Sequence, residues 1–283
     1  MESSPGGSPG IRALRSAFRT VGPIAPGTAA RVAERIFCRP PRPTVRPREE
    51  AYLETGERFT VRANGIELAC WRWGTGPVVV LTHGWGSRAG RWSSLVPLLL
   101  EAGLSSVAFD APAHGRSTGN SASMPEFARA LLAVREHLGE APRSAVGHSL
   151  GGAATALALS MGFDAERVVL IAAPSNAQEF TDRFAETLGL PASVRSRMER
   201  NLEARLKFTF AELHIPTLAA HLGTPALLVH DTGDRDVPFA GAEEVAAAWP
   251  GARLMATTGL GHRKVLHDPA VLQETRDFIL AGA

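Results

Sequence analysis

Apolar residues beyond position 58 fall into two kinds of segment that alternate along the chain. Short apolar or β-branched runs predict strands over residues 59–63, 66–73, 77–82, 105–109, 144–146, 167–172, 226–230 and 253–256. Segments with helical spacing lie among them, over residues 91–102, 123–138, 152–160, 242–249 and 269–280. Strands that alternate with helices form a mostly parallel sheet covered by helices on both faces. The predicted fold class is therefore α/β.

Turn and capping residues support this division. Asn64-Gly65 separates the first two predicted strands and is a strong signal for a β-hairpin. The run over 77–82 is continuous rather than alternating, which is typical of a strand buried on both faces. Ser123 and Glu126 have the spacing of a capping box. Ligands of such sheets bind outside the carboxyl ends of the strands, so functional residues are expected in the loops that follow them.

Residues 178–222 interrupt the alternation of strands and helices. The segment has no β-branched run, and its apolar residues are spaced among arginines and glutamates. So long a stretch inside a compact domain is seldom without structure of its own. We predict a helical cap inserted between two strands, with most apolar side chains packed on the body and a few facing a substrate.

The first 50 residues differ in composition from the rest. Residues 1–10 are rich in Ser, Gly and Pro and are predicted to be disordered. Two apolar stripes with helical spacing follow, over residues 11–21 and 32–37. The prolines at positions 40, 41, 43 and 47 then predict a stiff, extended linker.

Positive charge is concentrated in the same region. Residues 1–48 carry nine arginines and two glutamates, about +7, whereas the whole chain carries +2. The remainder is therefore mildly acidic, at about −5, which does not indicate a nucleic-acid partner. A basic amphipathic arm of this kind can associate weakly with an anionic membrane surface. The alternative, that the two helices pack on the domain, is favoured because the chain has 28 arginines and two lysines, so its arginine content is general.

Other features of composition bear on compartment and cofactors. Cys38 and Cys70 have neither the spacing of metal ligands nor that of a disulfide framework, which predicts buried or incidental thiols. The sequence contains no apolar run long enough to span a bilayer and no secretory signal. We expect a cytoplasmic protein, or one held peripherally at a membrane surface, that needs no metal and no other cofactor.

Gly147-His148-Ser149-Leu150-Gly151 is a G-x-S-x-G sequence between a predicted strand and a predicted helix. In that setting a serine becomes a strained, exposed nucleophile. The chain has 28 glycines among 283 residues, so the same pattern also arises as a glycine-rich turn with a solvated serine. A nucleophilic serine needs a base, a carboxylate to orient the base, and an oxyanion hole, and these decide between the two interpretations.

Several ordered motifs together resemble the α/β-hydrolase superfamily, from about residue 59 to the C-terminus. They are His83-Gly84-Trp85-Gly86, residues 110–117, Gly147–Gly151, Asp234-Arg235-Asp236-Val237-Pro238 and Gly261-His262. The resemblance implies an α/β-hydrolase fold with a helical cap. On this basis we assign residues 1–50 to a basic arm and linker, 51–176 and 223–283 to the core, and 177–222 to the cap.

The superfamily places its catalytic residues in the order serine, acid, histidine, which implies Ser149, Asp234 and His262. Asp234 matches the D-x-x-V-P segment of the family, whereas Asp231 and Asp236 follow the same strand and are the alternatives. His262 lies in a loop after the last strand, and eight other histidines compete with it for the role of base.

The same resemblance assigns the oxyanion hole and the remaining motif residues. It implies that the backbone amides of Trp85 and Leu150 stabilise the oxyanion. Asp110 also ends a strand, but it precedes Ser149 and so breaks the order; it is expected to brace its loop through Arg116 or backbone amides. His83 and His114 belong to loop motifs that we interpret as structural.

The predicted function is that of a serine hydrolase that cleaves a carboxylic ester or thioester of a largely apolar acyl group. Serine members of the superfamily also hydrolyse C–C bonds, lactones or amides, or form peracids, and the sequence does not separate these reactions. A non-catalytic binding module on the same fold is the alternative from another class, and the complete set of catalytic residues argues against it. The partner expected is a small ester or thioester substrate, besides the weak membrane association that the basic arm would allow.

Overall fold

Eight strands form one sheet in the larger of two structural units. The structure, a computed structural model, describes residues 9–42 and 44–281. The strands are β1 (Glu57–Ala63), β2 (Ile66–Trp73), β3 (Val78–Thr82), β4 (Ser105–Phe109), β5 (Ser144–His148), β6 (Arg167–Ile171), β7 (Ala226–Asp231) and β8 (Arg253–Thr257). Their order across the sheet is β1-β2-β4-β3-β5-β6-β7-β8. Only β2 runs antiparallel to its neighbours β1 and β4. The mostly parallel α/β sheet predicted from the sequence is confirmed.

The α-helices number twelve within the part of the chain that the structure describes. They are α1 (Pro9–Val21), α2 (Pro26–Phe37), α3 (Pro47–Leu53), α4 (Val96–Glu101), α5 (Met124–Leu138), α6 (Leu150–Ser160), α7 (Gln178–Leu188), α8 (Ala192–Leu206), α9 (Ile215–Ala219), α10 (Phe239–Ala248), α11 (Gly261–Lys264) and α12 (Pro269–Leu280). None of these helices combines the length and the apolar character that a bilayer-spanning helix needs.

The central strands form the core of the larger unit, which comprises the described parts of Pro40–Ser175 and His214–Ala283. Every residue of β3, β4 and β5 is buried, as expected for strands covered on both faces. Burial of each valine or leucine side chain contributes about 1.5–3 kcal/mol to stability. Because β3, β5, β6, β7 and β8 are parallel, their carboxyl ends lie at one edge of the sheet.

The smaller unit is helical and joins two segments that are distant in sequence. It comprises the described part of Met1–Arg39 together with Asn176–Leu213. The apolar stripes of α1 and α2 pack with α7 and α8 around Phe18, Ala33 and Met198. The inner face of α2 is built from small residues, which allows a close approach to α8. Polar contacts join the same segments, since Arg205 Nε donates to Glu34 Oε1 at 2.8 Å.

Several local predictions are confirmed by the backbone. The hairpin turn at Asn64-Gly65 has φ of 49° and 77°, and Ala63 pairs with Ile66 across it. Ser123 caps α5 as expected, since its hydroxyl accepts from the Glu126 amide and donates to the Glu126 carboxylate.

Three proline-related predictions are wrong in detail. Pro9 and Gly10 belong to α1, and the rest of the segment predicted to be disordered, residues 1–8, lies outside the described residues. Pro47 opens α3 instead of extending the linker, because proline is well suited to the first position of a helix; Pro43 of that linker lies outside the described residues. The helix predicted over 91–102 is a 3₁₀ segment, Ala89–Ser94, followed by α4, since Pro97 must lie in the first turn of an α-helix.

Candidate active site

Ser149 lies in a strained turn between β5 and α6. Its φ and ψ are 52° and −124°, a backbone conformation that residues with a side chain rarely adopt. Such a residue costs about 1–3 kcal/mol, which the surrounding contacts must offset. One of those contacts is the hydrogen bond from the Ser149 amide to the Ile171 carbonyl oxygen at 2.9 Å. The turn therefore holds the serine hydroxyl at the carboxyl edge of the sheet.

The two glycines of the G-x-S-x-G sequence are explained by close backbone contacts. A Cβ atom at Gly147 would lie 2.5 Å from the carbonyl oxygen of Gly151. A Cβ at Gly151 would lie 2.3 Å from the carbonyl oxygen of Thr82, on the neighbouring strand β3. Neither position accepts a side chain without displacing backbone, so the spacing of the motif is a steric requirement of the tight strand-to-helix turn.

His262 joins Ser149 to a carboxylate. It lies in the short helix α11, after β8, and its Nε2 is 3.0 Å from the Ser149 hydroxyl oxygen. Its Nδ1 is 2.8 Å from Oδ2 of Asp234. An ionised carboxylate only accepts hydrogen bonds, so Nδ1 carries the proton and donates. When the ring is neutral, Nε2 is the acceptor and the serine hydroxyl donates to it.

Asp234 lies in the loop after β7 and is held by four groups. Its Oδ1 accepts from the amides of Asp236 and Val237, at 2.8 and 3.0 Å. Its Oδ2 accepts from His262, and His230 Nε2 lies 3.5 Å from the same oxygen. The side chain has no exposed surface, and burial raises its pKa. Hydrogen bonds from His230, His262 and the Val237 amide outweigh burial and hold the pKa of Asp234 far below its usual range.

The alternative aspartates occupy different positions. Asp231 accepts from the amides of Gly233 and Leu260 and from the Thr257 hydroxyl, so it joins the two loops that carry Asp234 and His262. Asp236 is exposed. The structure thus brings Ser149, Asp234 and His262 into one hydrogen-bonded chain and leaves Asp231 in a bracing position.

Asp110 braces its loop as the sequence suggested. Its Oδ1 accepts from the Ala89 amide at 2.8 Å, and its Oδ2 accepts from the Arg116 amide at 2.7 Å. Burial raises the pKa of this carboxyl, and the two amides oppose that effect. The guanidinium of Arg116 pairs with Glu50 instead.

His148 contacts the His262 segment in a way that the sequence did not indicate. Its Nε2 donates to the backbone carbonyl of His262 at 2.9 Å, and the two rings lie 4.8 Å apart at 44°. Burial, together with the nearby His262 ring, lowers the pKa of His148 to about 3, so the ring is neutral. The variable position of the G-x-S-x-G sequence therefore supports the loop of His262, although 114 residues separate them.

His83 and His114 tie together the two loops that follow β3 and β4. His83 Nε2 accepts from the Ala111 amide and its Nδ1 donates to the Gly84 carbonyl, at 2.9 and 2.7 Å. His114 Nε2 accepts from the Gly86 amide at 3.0 Å. Burial lowers the pKa of His114 to about 4 and holds that of His83 well below its usual range. Both rings must stay neutral to accept these bonds.

We expect the neutral His114 to make stability depend on pH. The unfolded chain binds a proton at the usual pKa of about 6.5, whereas the folded chain binds it only near pH 4. The contribution is present in full above pH 6.5 and is lost as the pH falls toward 4. Loss of this contribution lowers the free energy of unfolding by about 2 kcal/mol between pH 7 and pH 5. Urea unfolding at the two pH values measures the loss.

His114→Gln is the matched variant for that experiment. Its amide oxygen can accept from the Gly86 amide, but the side chain does not titrate. The difference between pH 7 and 5 should be smaller by about 2 kcal/mol in the variant. An equal difference in both proteins would show that His114 is already charged in the folded state at pH 5.

Leu150 and Trp85 lie in the two backbone segments next to Ser149. Leu150 is the first residue of α6, where backbone amides have no acceptor within the helix. Trp85 lies in the turn after β3, beside Gly84, and a Cβ atom at Gly84 would lie 2.9 Å from the Ser149 Cβ. The backbone of this turn therefore passes next to the serine.

The other sequence predictions concern cysteines and metals. Cys38 and Cys70 are both buried, and burial raises the pKa of the Cys70 thiol to about 12. Within residues 9–42 and 44–281, no group of three or more His, Cys, Asp or Glu side chains is arranged to hold a metal ion.

Comparisons with known proteins agree with this architecture. A family model described as alpha/beta hydrolase fold matches residues 77–190, and one described as TAP-like protein matches residues 211–283. A non-heme haloperoxidase of Rhodococcus erythropolis is 27% identical over 254 residues, which cover 72% of this chain and 92% of that protein.

Two further proteins cover most of the chain. A pimeloyl-(acyl-carrier protein) methyl ester esterase of Aromatoleum aromaticum is 30% identical over 245 residues, 68% of this chain and 94% of that protein. The solved structure of an esterase from Exiguobacterium antarcticum is similar with a TM-score of 0.64 and 16% identity, and covers 80% of this chain and 100% of its own. At that identity the structure supports the fold alone. The chain therefore belongs to the α/β-hydrolase superfamily and is a hydrolase.

Proposed function

We propose that this protein is a serine hydrolase that cleaves a carboxylic ester or thioester through an acyl-enzyme. The observation that carries the proposal is the hydrogen-bonded chain from Ser149 through His262 to Asp234, with distances of 3.0 and 2.8 Å. It links a strained serine, an imidazole whose Nδ1 donates to a carboxylate, and a buried carboxylate that its hydrogen bonds hold ionised. Nucleophilic catalysis by serine uses the neutral form of such an imidazole, with Nε2 as the base.

In the first half of the reaction, Ser149 Oγ attacks the acyl carbon of the substrate while Nε2 of His262 takes the hydroxyl proton. The carbonyl π bond opens and a tetrahedral oxyanion forms. Asp234 stabilises the imidazolium through its hydrogen bond to Nδ1. The bond to the leaving group then breaks, His262 passes its proton to the departing alkoxide or thiolate, and the acyl group stays on Ser149.

We assign the oxyanion to the backbone amides of Leu150 and Trp85. An amide at the first position of α6 is free of intrahelical acceptors and lies at the positive end of the helix dipole. The second donor comes from the turn after β3, which passes beside Ser149. Removal of one oxyanion donor costs about 10²–10³-fold in kcat in other serine hydrolases, so these two amides would be a large part of catalysis.

In the second half, a water molecule attacks the acyl carbon and gives its proton to Nε2 of His262. The tetrahedral intermediate collapses, the bond to Ser149 Oγ breaks, and the proton returns to that oxygen. The products are a carboxylic acid and the alcohol or thiol released earlier. The relative named as a methyl ester esterase supports an ester as the substrate class.

Labelling with a fluorophosphonate probe tests the proposal directly. The probe phosphonylates only a serine whose hydroxyl is activated by a base, so the wild-type protein should be labelled with one probe per chain. Ser149→Ala should not be labelled. Ser160→Ala is the matched control, since it removes an exposed serine hydroxyl at the end of α6, and it should be labelled like the wild type. Failure of the wild type to label, or equal labelling of Ser149→Ala, would refute the proposal.

A further inference from the structure

The outward face of α2 and the turn before it carry a distinctive set of residues. Helix α2 packs through Ala29, Ala30 and Ala33, all of which are buried. The exposed positions recur at helical spacing on the other side; they are Ile24, Thr28, Arg31, Val32, Arg35 and Arg39. We call these six residues the arginine face. Because α2 packs through one side, its other side is exposed to solvent and carries both apolar and arginine side chains.

Exposed apolar side chains cluster on this face and on the adjoining turn. Ile24 is 82% exposed, and Val21 and Val32 are 46% and 42% exposed. They account for three of the five large apolar side chains that are exposed in the described part of the chain. Single exposed apolar residues need no explanation, whereas a cluster on one helical hairpin indicates a contact surface.

The charge carried by α1, α2 and the turn between them is almost entirely positive. Residues 9–39 contain six arginines and one acidic residue, Glu34. Glu34 is partly buried and is paired with Arg205 of α8, so it does not offset the charge of the arginine face. Arg12 and Arg19 of α1 are exposed in the same hairpin. The surface is complementary to a dense array of negative charges.

We infer that the arginine face docks on an anionic lipid bilayer. Ile24 and Val32 would enter the boundary between headgroups and acyl chains, and Arg31, Arg35 and Arg39 would pair with lipid phosphates. Ile24 and Val32 are exposed together with Arg31, Arg35 and Arg39. Exposed apolar side chains beside arginines are typical of a surface that binds an anionic membrane.

Sedimentation of the full-length protein with sucrose-loaded vesicles tests the inference. Vesicles of phosphatidylcholine with 30% phosphatidylglycerol are compared with pure phosphatidylcholine vesicles in low salt. The wild type should sediment with the anionic vesicles, and 0.5 M NaCl should release it, because salt screens the arginines. Replacing Arg31, Arg35 and Arg39 together with glutamine should lower the partition coefficient about 100-fold. Ile24→Ser should lower it about tenfold.

A matched control removes the same charge elsewhere. Arg48, Arg58 and Arg62 are exposed in the larger unit, and their combined replacement by glutamine should change partitioning less than threefold. Thermal unfolding transitions that coincide with that of the wild type show that every variant is folded. Partitioning needs no catalysis, so this test is independent of the proposed chemistry.

Three outcomes would overturn the inference. The first is that the wild type does not sediment with anionic vesicles. The second is that the two triple variants lose partitioning onto these vesicles equally. The third is that the wild type stays in the supernatant and binds saturably to an acidic carrier protein. The last outcome would assign the arginine face to a protein partner.

Discussion

Replacing Ser149 with alanine is expected to lower kcat for ester hydrolysis by about 10⁵-fold. The variant retains His262 and Asp234 but has no atom that can form the acyl-enzyme. The hydrogen bond at 3.0 Å between Ser149 and His262 is lost. His262 then has no positioned hydroxyl group from which to take a proton. Residual hydrolysis would come from the oxyanion amides and a water molecule, about 10³-fold above the uncatalysed reaction.

The measurement uses a panel of nitrophenyl esters and acyl-CoA thioesters, run with the wild type, Ser149→Ala and Ser160→Ala. Thermal unfolding of the three proteins should coincide within a few degrees, since neither substitution removes buried apolar surface. The panel also ranks acyl chain length and separates esters from thioesters as substrates. Retention by Ser149→Ala of more than a tenth of the wild-type kcat would mean that another group is the nucleophile.

The part of the site that could be predicted from sequence has a common physical origin. Short-range constraints leave local patterns: the close approach of Gly147 and Gly151 to backbone requires glycine, and a buried parallel strand requires a continuous apolar run. Asp234 follows this logic, because its carboxylate must accept two amides within three residues, and that loop has a recognisable spacing.

Other contacts left no such pattern because they join distant residues through the fold. His148 donates to the backbone carbonyl of His262. Every residue type has such a carbonyl, so the sequence does not indicate which residue accepts from His148. His230 lies one strand residue before Asp231 and reaches Asp234 only because the loop turns back. The association of α1 and α2 with α7 and α8 could not be predicted either. An amphipathic stripe shows that a helix covers an apolar surface but does not specify which surface.

Asp234→Asn should lower kcat by about 10⁴-fold without unfolding the protein. The reason lies in the two amides of Asp236 and Val237, which donate to Oδ1 at 2.8 and 3.0 Å. They will bind the amide oxygen of the asparagine and direct its NH₂ group toward Nδ1 of His262. That group cannot accept a hydrogen bond, so His262 shifts its proton to Nε2 and can no longer accept from Ser149.

Asp236→Asn and Asp231→Asn separate this explanation from a general loss of negative charge. Asp236 is exposed, and its replacement should change kcat less than threefold. Asp231 joins the loops of Asp234 and His262, so Asp231→Asn should lower the free energy of unfolding by about 1–3 kcal/mol and kcat by far less than Asp234→Asn. Steady-state kinetics and urea unfolding of the three variants give the comparison. Only the loss of the carboxylate that accepts from Nδ1 shifts the proton of His262 to Nε2. If Asp231→Asn or Asp236→Asn lowered kcat more than Asp234→Asn does, the carboxylate that orients His262 during catalysis would not be Asp234.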